Sequence, residues 1–259
     1  VPESNHPSGG FFGPEIVGKN FRSLLEMHPI YIDPMCSLAG AYMTNFIAYR
    51  QPHWNPEYSY DHLKLAEEQY GLFMGVGGMQ HFCQDLNIGL TLGWDGILQK
   101  IRKYSAVAEE EKIPFYTGLE HVVKGIQIWI KRSADESQLM AESEQDPILR
   151  QNLEDLADMN SRLTTEPPQT FREACQWILW FLLSAHMYNG SGSGGAFDQL
   201  LLPYYERDVE KGILSDEEAV FHMACLILKD TSYQQLGGYD SFGNDTTNKL
   251  SYLMLEASD

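Results

Sequence analysis

The sequence is poor in basic residues. Lys and Arg together number 18 against 36 Asp and Glu, which gives a formal net charge of −18. Binding to nucleic acid and docking on an anionic membrane surface both require clustered Lys and Arg. The composition therefore argues against nucleic acid and membrane as partners and favours a soluble, cytoplasmic protein with an acidic surface.

Cysteine is also scarce, and its spacing carries no metal motif. The four cysteines are far apart in the sequence, and no C-x-x-C occurs. This spacing predicts no metal site. Cys175 and Cys225 fall within apolar helical patterns, so we expect buried free thiols in a reducing compartment rather than disulfides.

No hydrophobic run is long enough to cross a membrane. The most apolar stretch, residues 174–188, has an unbroken apolar centre shorter than the ~20 residues that a bilayer requires. Its apolar residues lie all round a helix, which predicts a helix covered on every side. The first residues, VPESNHPSGGFFGPE, do not form a signal peptide, and the sequence does not begin with Met. We therefore expect a processed product or a piece of a longer protein.

The common catalytic motifs are missing as well. The sequence contains no H-E-x-x-H, no G-x-S-x-G and no kinase signature. The glycine-rich stretch NGSGSGG, residues 189–195, lacks the Lys-Ser/Thr of a phosphate-binding loop and follows a predicted helix rather than a strand. Two interpretations remain: a tight connection between helices, or one wall of a small-molecule pocket. In the second, Asn189, Ser191 and Ser193 offer neutral hydrogen-bonding groups.

A second candidate site is the stretch MQHFCQD, which contains His81, Cys83 and Asp85. If the stretch is helical, the His81 imidazole and the Asp85 carboxylate share a face and form a pair. The alternative is a loop histidine whose hydrogen bonds are satisfied locally. A single cysteine beside a histidine is weak evidence for a thiol nucleophile. His186 and His222 lie in apolar helical patterns and are interpreted as core histidines.

Periodicity and capping signals predict a mainly helical chain with few short strands. Pro203 is expected to kink or restart its helix. The expected helices begin at Asp33-Pro34, near residue 60, near Leu92, at Pro114 and at Asp146-Pro147; capping boxes are expected at Thr170–Glu173 and Ser215–Glu218, and a short strand at residues 233–236.

Several stretches in order resemble the pyruvate formate-lyase-like domain of glycyl radical enzymes. They are HFCQDLNIGLTLGWDGILQKIRKY, PPQTFREACQWILWF, NGSGSGGAFDQLLLPYYERDVEKGILSDEEA, LILKD and YQQLGGYDSFGNDTTNKLSYLMLEA. The resemblance covers residues 75–259 and leaves residues 1–74 as a poorly matched, loop-rich and helical lead-in. It implies the N-terminal portion of an α/β barrel wrapped by helices.

The resemblance also implies an anaerobic radical mechanism. In the family, a glycine near the C-terminus stores a radical installed by an activating enzyme that uses S-adenosylmethionine and an iron–sulfur cluster. That radical generates a thiyl radical on a cysteine, which abstracts hydrogen from a small-molecule substrate. We expect this activating enzyme as a partner and a homodimer in the full enzyme.

The two radical motifs of the family do not occur in these residues. Nothing matches the Arg-Val-x-Gly-Tyr-like glycine motif or the Gly-Cys-Val-Glu-like cysteine motif. We therefore assign no catalytic residue, no metal and no bound cofactor, and we expect a fragment that is inactive alone. Gly195-Ala196 stands where the family usually has Gly-Arg, which argues against diol-dehydratase chemistry. The alternative is a non-catalytic or split paralogue that binds a small molecule or a partner subunit.

The family's glycine-rich loop faces the barrel interior beside the substrate. The resemblance therefore implies that Asn189, Ser191 and Ser193 contact substrate. It also implies that His81 and Asp85 contact substrate from the opposite wall.

Overall fold

The structure is a computed structural model that describes residues 2–41, 46, 61–71, 83–189 and 193–259. Helices dominate these residues and the strands are short, which confirms the mainly helical prediction. The helices are α1 (Pro14–Met27), α2 (Lys64–Tyr70), α3 (Leu86–Ser105), α4 (Ile113–Ser143), α5 (Pro147–Leu163), α6 (Phe171–Asn189), α7 (Phe197–Glu210), α8 (Asp216–Lys229) and α9 (Lys249–Ser258). The strands are β1 (Ser193–Ala196) and β2 (Tyr233–Gln235).

Helix α4 is the longest element and packs against α1 and against α5. Small residues allow α1 and α4 to approach until their backbones touch. A Cβ atom at Gly18 would lie 2.3 Å from the Gly118 carbonyl oxygen, and one at Gly118 would lie 2.3 Å from the Pro14 oxygen. A larger side chain at either glycine would force the two helices apart.

Helix α6 is at the centre of the core and contacts α3, α4, α5, α7 and α8. Trp177 and Trp180 on α6 are fully buried. The Trp180 indole nitrogen donates to Asn160 Oδ1 at 2.7 Å, and its ring meets the Trp129 ring edge-on at 4.8 Å. The burial of both tryptophans confirms that the all-round apolar pattern marks a helix covered on every side.

The predicted helix starts with local caps are confirmed. The Asp146 carboxylate accepts hydrogen bonds from the backbone nitrogens of residues 148 and 149. Thr170 and Glu173 exchange the two hydrogen bonds of a capping box, each 3.2 Å long. Ser215 and Glu218 form the second box. Each cap supplies partners for backbone N–H groups that have none within the helix.

The helix predicted to begin at Asp33-Pro34 is wrong over residues 33–41. The Asp33 carboxylate accepts from the Met35 nitrogen and its carbonyl accepts from the Cys36 nitrogen, which makes a turn. The Gln176 side chain on α6 then bonds the backbone of Ala39 on both sides, at 2.7 and 3.1 Å. A distant side chain thus replaces the hydrogen bonds that a helix would have provided. Most of the remaining predicted helix lies outside the described residues.

One further boundary differs from prediction. Helix α3 begins at Leu86 rather than near Leu92 and is kinked at Gly93, where φ is +62°. Helix α2 begins at Lys64, close to the start expected near residue 60, and its C-cap Gly71 has φ +60°. Helix α7 runs through Pro203 as one helix, so the restart that was one of the two expected outcomes does not occur.

Three chain segments meet as short parallel strands. β1 pairs with β2 in parallel, with Ser193 opposite Tyr233 and an irregularity before Gly195. Cys83 forms an isolated parallel bridge with Ser193 on the other side of β1. β2 confirms the strand predicted at residues 233–236. β1 was expected to be a loop.

Candidate functional site

Ser193 lies in the middle of the three parallel segments and joins the other two through its side chain. Its hydroxyl donates to the Tyr233 carbonyl oxygen at 3.0 Å, and its Oγ lies 3.2 Å from Cys83 Sγ. A hydroxyl has one proton, so with that proton on the Tyr233 carbonyl the Cys83 thiol is the donor to Ser193. We call these three residues the Cys83–Ser193–Tyr233 row.

The two glycines after Ser193 are required for different reasons. Gly195 has φ +78°, a conformation that side chains disfavour, and a Cβ atom there would lie 3.6 Å from Cys83 Cβ. A Cβ atom at Gly194 would lie 2.2 Å from the ring of Phe197. Gly194 therefore allows the strand to pack closely against the Phe197 ring, and Gly195 allows the backbone to turn at a positive φ.

Asp198 ties the start of α7 to the segment after β2. Its Oδ2 accepts from the Gly237 nitrogen at 2.7 Å and from the Ser251 hydroxyl at 2.5 Å. Gln199 donates to the Thr246 carbonyl at 2.7 Å. Asp198 is fully buried, and its Oδ1 has no hydrogen-bond partner among the residues that the structure describes. The stretch Phe197-Asp198-Gln199 thus holds β1 against the segment that follows β2. In the sequence, this stretch stood out only as part of the resemblance to glycyl radical enzymes.

A histidine–carboxylate pair, with a half-buried imidazole and a buried carboxylate, joins the chain segments that lead to β1 and β2. His186 Nδ1, on the last turn of α6, lies 2.8 Å from Asp230 Oδ2, three residues before β2. The hydrogen bond that His186 donates to the Asp230 carboxylate raises the pKa of His186. Burial acts to raise the pKa of Asp230, but the hydrogen bonds from His186 and Ser232 outweigh it and the pKa is lowered.

The interpretation of His186 as a core histidine changes, because its imidazole is paired with the Asp230 carboxylate. His186 and His222, the other histidine so interpreted, are both half-buried. Burial, with the positive charge of Arg172, lowers the pKa of His222 to about 4. His222 is thus neutral near neutral pH, and its ring lies 6.4 Å from the buried Phe171 ring, at the edge of the core.

The structure describes only part of the predicted site. Asp85 is exposed and caps α3, where its carboxylate accepts from the Asn87 nitrogen at 3.1 Å. Residues 83–85 are not helical, so the condition for a helical His81–Asp85 pair is not met there. His81 and Ser191 lie outside the described residues. Asn189 is the last residue of α6, and its side chain lies outside them too.

The predicted placement of His81 and Asp85 on the wall opposite the glycine-rich loop stays a prediction. Cys83, two residues before Asp85, is bridged directly to Ser193. The backbone at Cys83 therefore runs beside β1, a parallel pairing that a local sequence pattern does not reveal.

A cavity of about 360 Å³ lies between α1, α4 and α6. Its lining is almost entirely apolar and includes Phe21, Phe115, Phe181 and Tyr188. Gln84, between Cys83 and Asp85, also lines it, and within the described part of the chain the buried Gln84 Oε1 has no hydrogen-bond partner. The cavity thus reaches the chain segment that contains Cys83, one of the three residues of the row.

Among the residues that the structure describes, no group of three or more His, Cys, Asp and Glu is arranged to hold a metal ion. Within the same residues, no helix combines the length and apolar character needed to cross a membrane. All four cysteines are free thiols in the structure, and Cys175 and Cys225 are buried, as their apolar sequence context predicted.

Comparison with known proteins identifies the class. The pyruvate formate lyase-like family model matches residues 50–259. The chain is 26% identical to the isethionate sulfite-lyase of Bilophila wadsworthia over 204 residues, which is 67% of this chain and 25% of that protein. It is 28% identical to the 4-hydroxyphenylacetate decarboxylase glycyl radical subunit of Clostridioides difficile over 202 residues, 65% of this chain and 22% of that one.

A solved structure shows the same fold. A glycyl radical enzyme from Archaeoglobus fulgidus superimposes with a TM-score of 0.83 at 21% identity, covering 99% of this chain and 42% of that one. The chain belongs to the pyruvate formate lyase-like family. It spans about a quarter of the length of these curated relatives and 42% of the solved chain.

Proposed function

We propose that residues 1–259 form part of the barrel wall and substrate pocket of a larger glycyl radical enzyme of the lyase or dehydratase type. The observation that supports this most is the Cys83–Ser193–Tyr233 row. It brings together two of the segments that the family resemblance assigns to the pocket. The family match over residues 50–259, which includes all three residues of the row, supports placing the row in the pocket of such an enzyme.

The chemistry of the row suits a radical pocket. A carbon- or sulfur-centred radical must be shielded from water, and small neutral donors hold a polar substrate without competing redox chemistry. Ser193, together with Asn189 and Ser191, is proposed to bind a small hydroxylated or carboxylated substrate. His81 and Asp85 are proposed to contact the same substrate, and Asp198 keeps the strand edge in position.

The radical itself is proposed to form on polypeptide outside these residues. The glycine and the thiyl-forming cysteine would be supplied there, and an activating enzyme using S-adenosylmethionine and an iron–sulfur cluster would install the radical. We assign no reaction step to a residue of 1–259. Expressed alone, these residues are expected to bind but not to turn over substrate, and the complete enzyme is expected to be a homodimer.

The test is anaerobic purification of the native enzyme that contains these residues, as one polypeptide or as a complex. After treatment with the activating enzyme, we expect a glycyl radical signal in the electron paramagnetic resonance spectrum. Turnover of a panel of small hydroxy and carboxylic acids would then be measured. Residues 1–259 expressed alone are expected to give neither signal nor product.

Two results would contradict the proposal. Absence of a radical from the activated native protein would favour a non-catalytic paralogue. Turnover by residues 1–259 alone would show that the reactive groups lie within them.

A further inference from the structure

Two cysteines that are far apart in the sequence lie in one buried cluster. Cys36 lies in the irregular segment after α1, Cys225 lies on α8, and each thiol shifts the pKa of the other. The Ser37 backbone nitrogen donates to Cys225 Sγ at 3.4 Å. Both thiols are free, with exposed fractions of 9% and 4%. Because Ser37 directly follows Cys36, this bond places Cys36 beside the Cys225 sulfur without a covalent link.

Polar contacts from α5 and α6 fix the backbone around Cys36. The Asn152 amide donates to the carbonyls of Pro34 and Cys36, at 2.8 and 2.9 Å. The Arg172 guanidinium donates to the Ser37 carbonyl at 2.9 Å. These bonds come from α5 and α6, so the sulfur of Cys36 is placed by the rest of the fold before any bond to Cys225 forms.

The charges around the pair favour a thiolate on Cys225. The hydrogen bond from Cys36 lowers the pKa of Cys225, with smaller contributions from Ser37 and the Lys229 ammonium. Lys229 is anchored by its bond to the Gly40 carbonyl at 2.9 Å. The same hydrogen bond raises the pKa of Cys36, and burial raises the pKa of Cys175. Only a thiolate attacks an oxidant efficiently, so Cys225 is favoured over Cys175.

We propose that Cys36 and Cys225 form an oxidation site at which a hydroperoxide converts the two thiols to a disulfide that ties the segment after α1 to α8. Hydrogen peroxide is the smallest such oxidant and suits a buried pair. The proposal does not depend on the proposed radical function.

The chemistry balances in two steps. The Cys225 thiolate attacks one peroxide oxygen, the O–O bond breaks, and Cys225 sulfenic acid and hydroxide form. The Cys36 sulfur then attacks the Cys225 sulfur, the S–O bond breaks, and the Cys36 proton leaves with the oxygen as water. Hydroxide takes up the proton that Cys225 had lost, so two thiols and one peroxide give one disulfide and two waters.

The test is peroxide treatment of the native chain, followed by alkylation and peptide mapping without reductant. We expect one dominant linked peptide, Cys36 to Cys225, while Cys175 remains alkylatable after denaturation. The Cys36→Ser variant is expected to accumulate a sulfenic acid on Cys225 that dimedone traps. The Cys83→Ser variant is the matched control, and it should form the linked peptide at the wild-type rate.

The peptide map of the wild-type protein tests the proposed Cys36–Cys225 disulfide even if a variant fails to fold. Treatment in denaturant supplies the reference, because all cysteines are then equally accessible. If the native protein gives no more Cys36–Cys225 linkage than the denatured protein, the proposal is overturned. Oxidation of Cys175 as fast as Cys225 would also overturn it.

Discussion

The helical core around α6 and the strand edge around β1 are held together by different forces. In the core, Trp129, Trp177 and Trp180 are fully buried and pack against one another or against neighbouring rings. At the strand edge, Ser193 is half-buried and joins its neighbours through polar contacts. Burial of aromatic area stabilises a fold by more than a few neutral hydrogen bonds at a partly exposed site.

The core around α6 therefore contributes most of the stability, and the strand edge around β1 is the region that we propose binds substrate. A partly exposed polar edge adds little to the free energy of unfolding, but it leaves hydrogen-bonding groups free to exchange one partner for another. Substitutions in the two regions test this difference, beginning with the one expected to lower the free energy of unfolding most.

Trp180→Ala tests the core. We expect the free energy of unfolding to fall by about 3–5 kcal/mol, because the substitution leaves a cavity and removes the indole donor to Asn160 Oδ1. Urea unfolding monitored by circular dichroism measures this. Phe242→Ala is the control, since that ring is 88% exposed, and its effect should be close to zero. Similar losses for the two variants would contradict the packing described for α6.

Asp198→Asn tests the link between the core and the strand edge. We expect a loss of about 1–3 kcal/mol, because the buried carboxylate accepts from the Gly237 nitrogen and the Ser251 hydroxyl. Limited proteolysis should show faster cleavage between residues 237 and 248. The exposed Asp158→Asn serves as control and should leave both measurements unchanged. Unaltered proteolysis of the Asp198 variant would rule out its positioning role.

His186→Gln tests the His186–Asp230 pair through its pH dependence. The pKa of His186 is raised, so its contribution is fully present below its ordinary value of about 6.5 and is lost as pH rises through the folded-state pKa. The difference in unfolding free energy between wild type and variant should therefore shrink as pH rises above about 6.5.

The contribution of Asp230 depends on pH in the opposite direction. The pKa of Asp230 is lowered, so its contribution is present above the ordinary Asp value and is lost as pH falls through the folded-state pKa. The exposed His62→Gln is the control variant. A wild-type advantage that is constant over the neutral to alkaline range would contradict the ion pair.

Ser193→Ala is expected to cost the least stability. It removes the hydrogen bond to the Tyr233 carbonyl at a half-buried position, and we expect a loss of at most about 1 kcal/mol. Thermal unfolding measures it. A loss above about 2 kcal/mol would show that the row is chiefly structural.

The features that the sequence predicted well are set by local interactions. The starts of α5, α6 and α8 depend on side chains within three residues of the helix start, such as Asp146 and Ser215. The burial of α6 follows from its own apolar composition. Such features are readable because the residues that cause them are adjacent in the chain.

The features that escaped prediction depend on distant partners. The Ala39 backbone is bonded by Gln176, 137 residues away, and Asp198 reaches residues 39 and 53 positions further along. β1 consists of Ser-Gly-Gly-Ala, which has no strand preference of its own and becomes a strand through Cys83 and β2. One chain without its contacts does not show which segments will meet.

The most direct test of the account is turnover by the activated native enzyme carrying Ser193→Ala, compared with the exposed Ser143→Ala. We predict that radical content is unchanged in both variants and that turnover falls at least about tenfold only with Ser193→Ala, which corresponds to about 1.4 kcal/mol in the barrier. Equal turnover in the two variants, at equal radical content, would contradict the proposal that this edge contacts substrate.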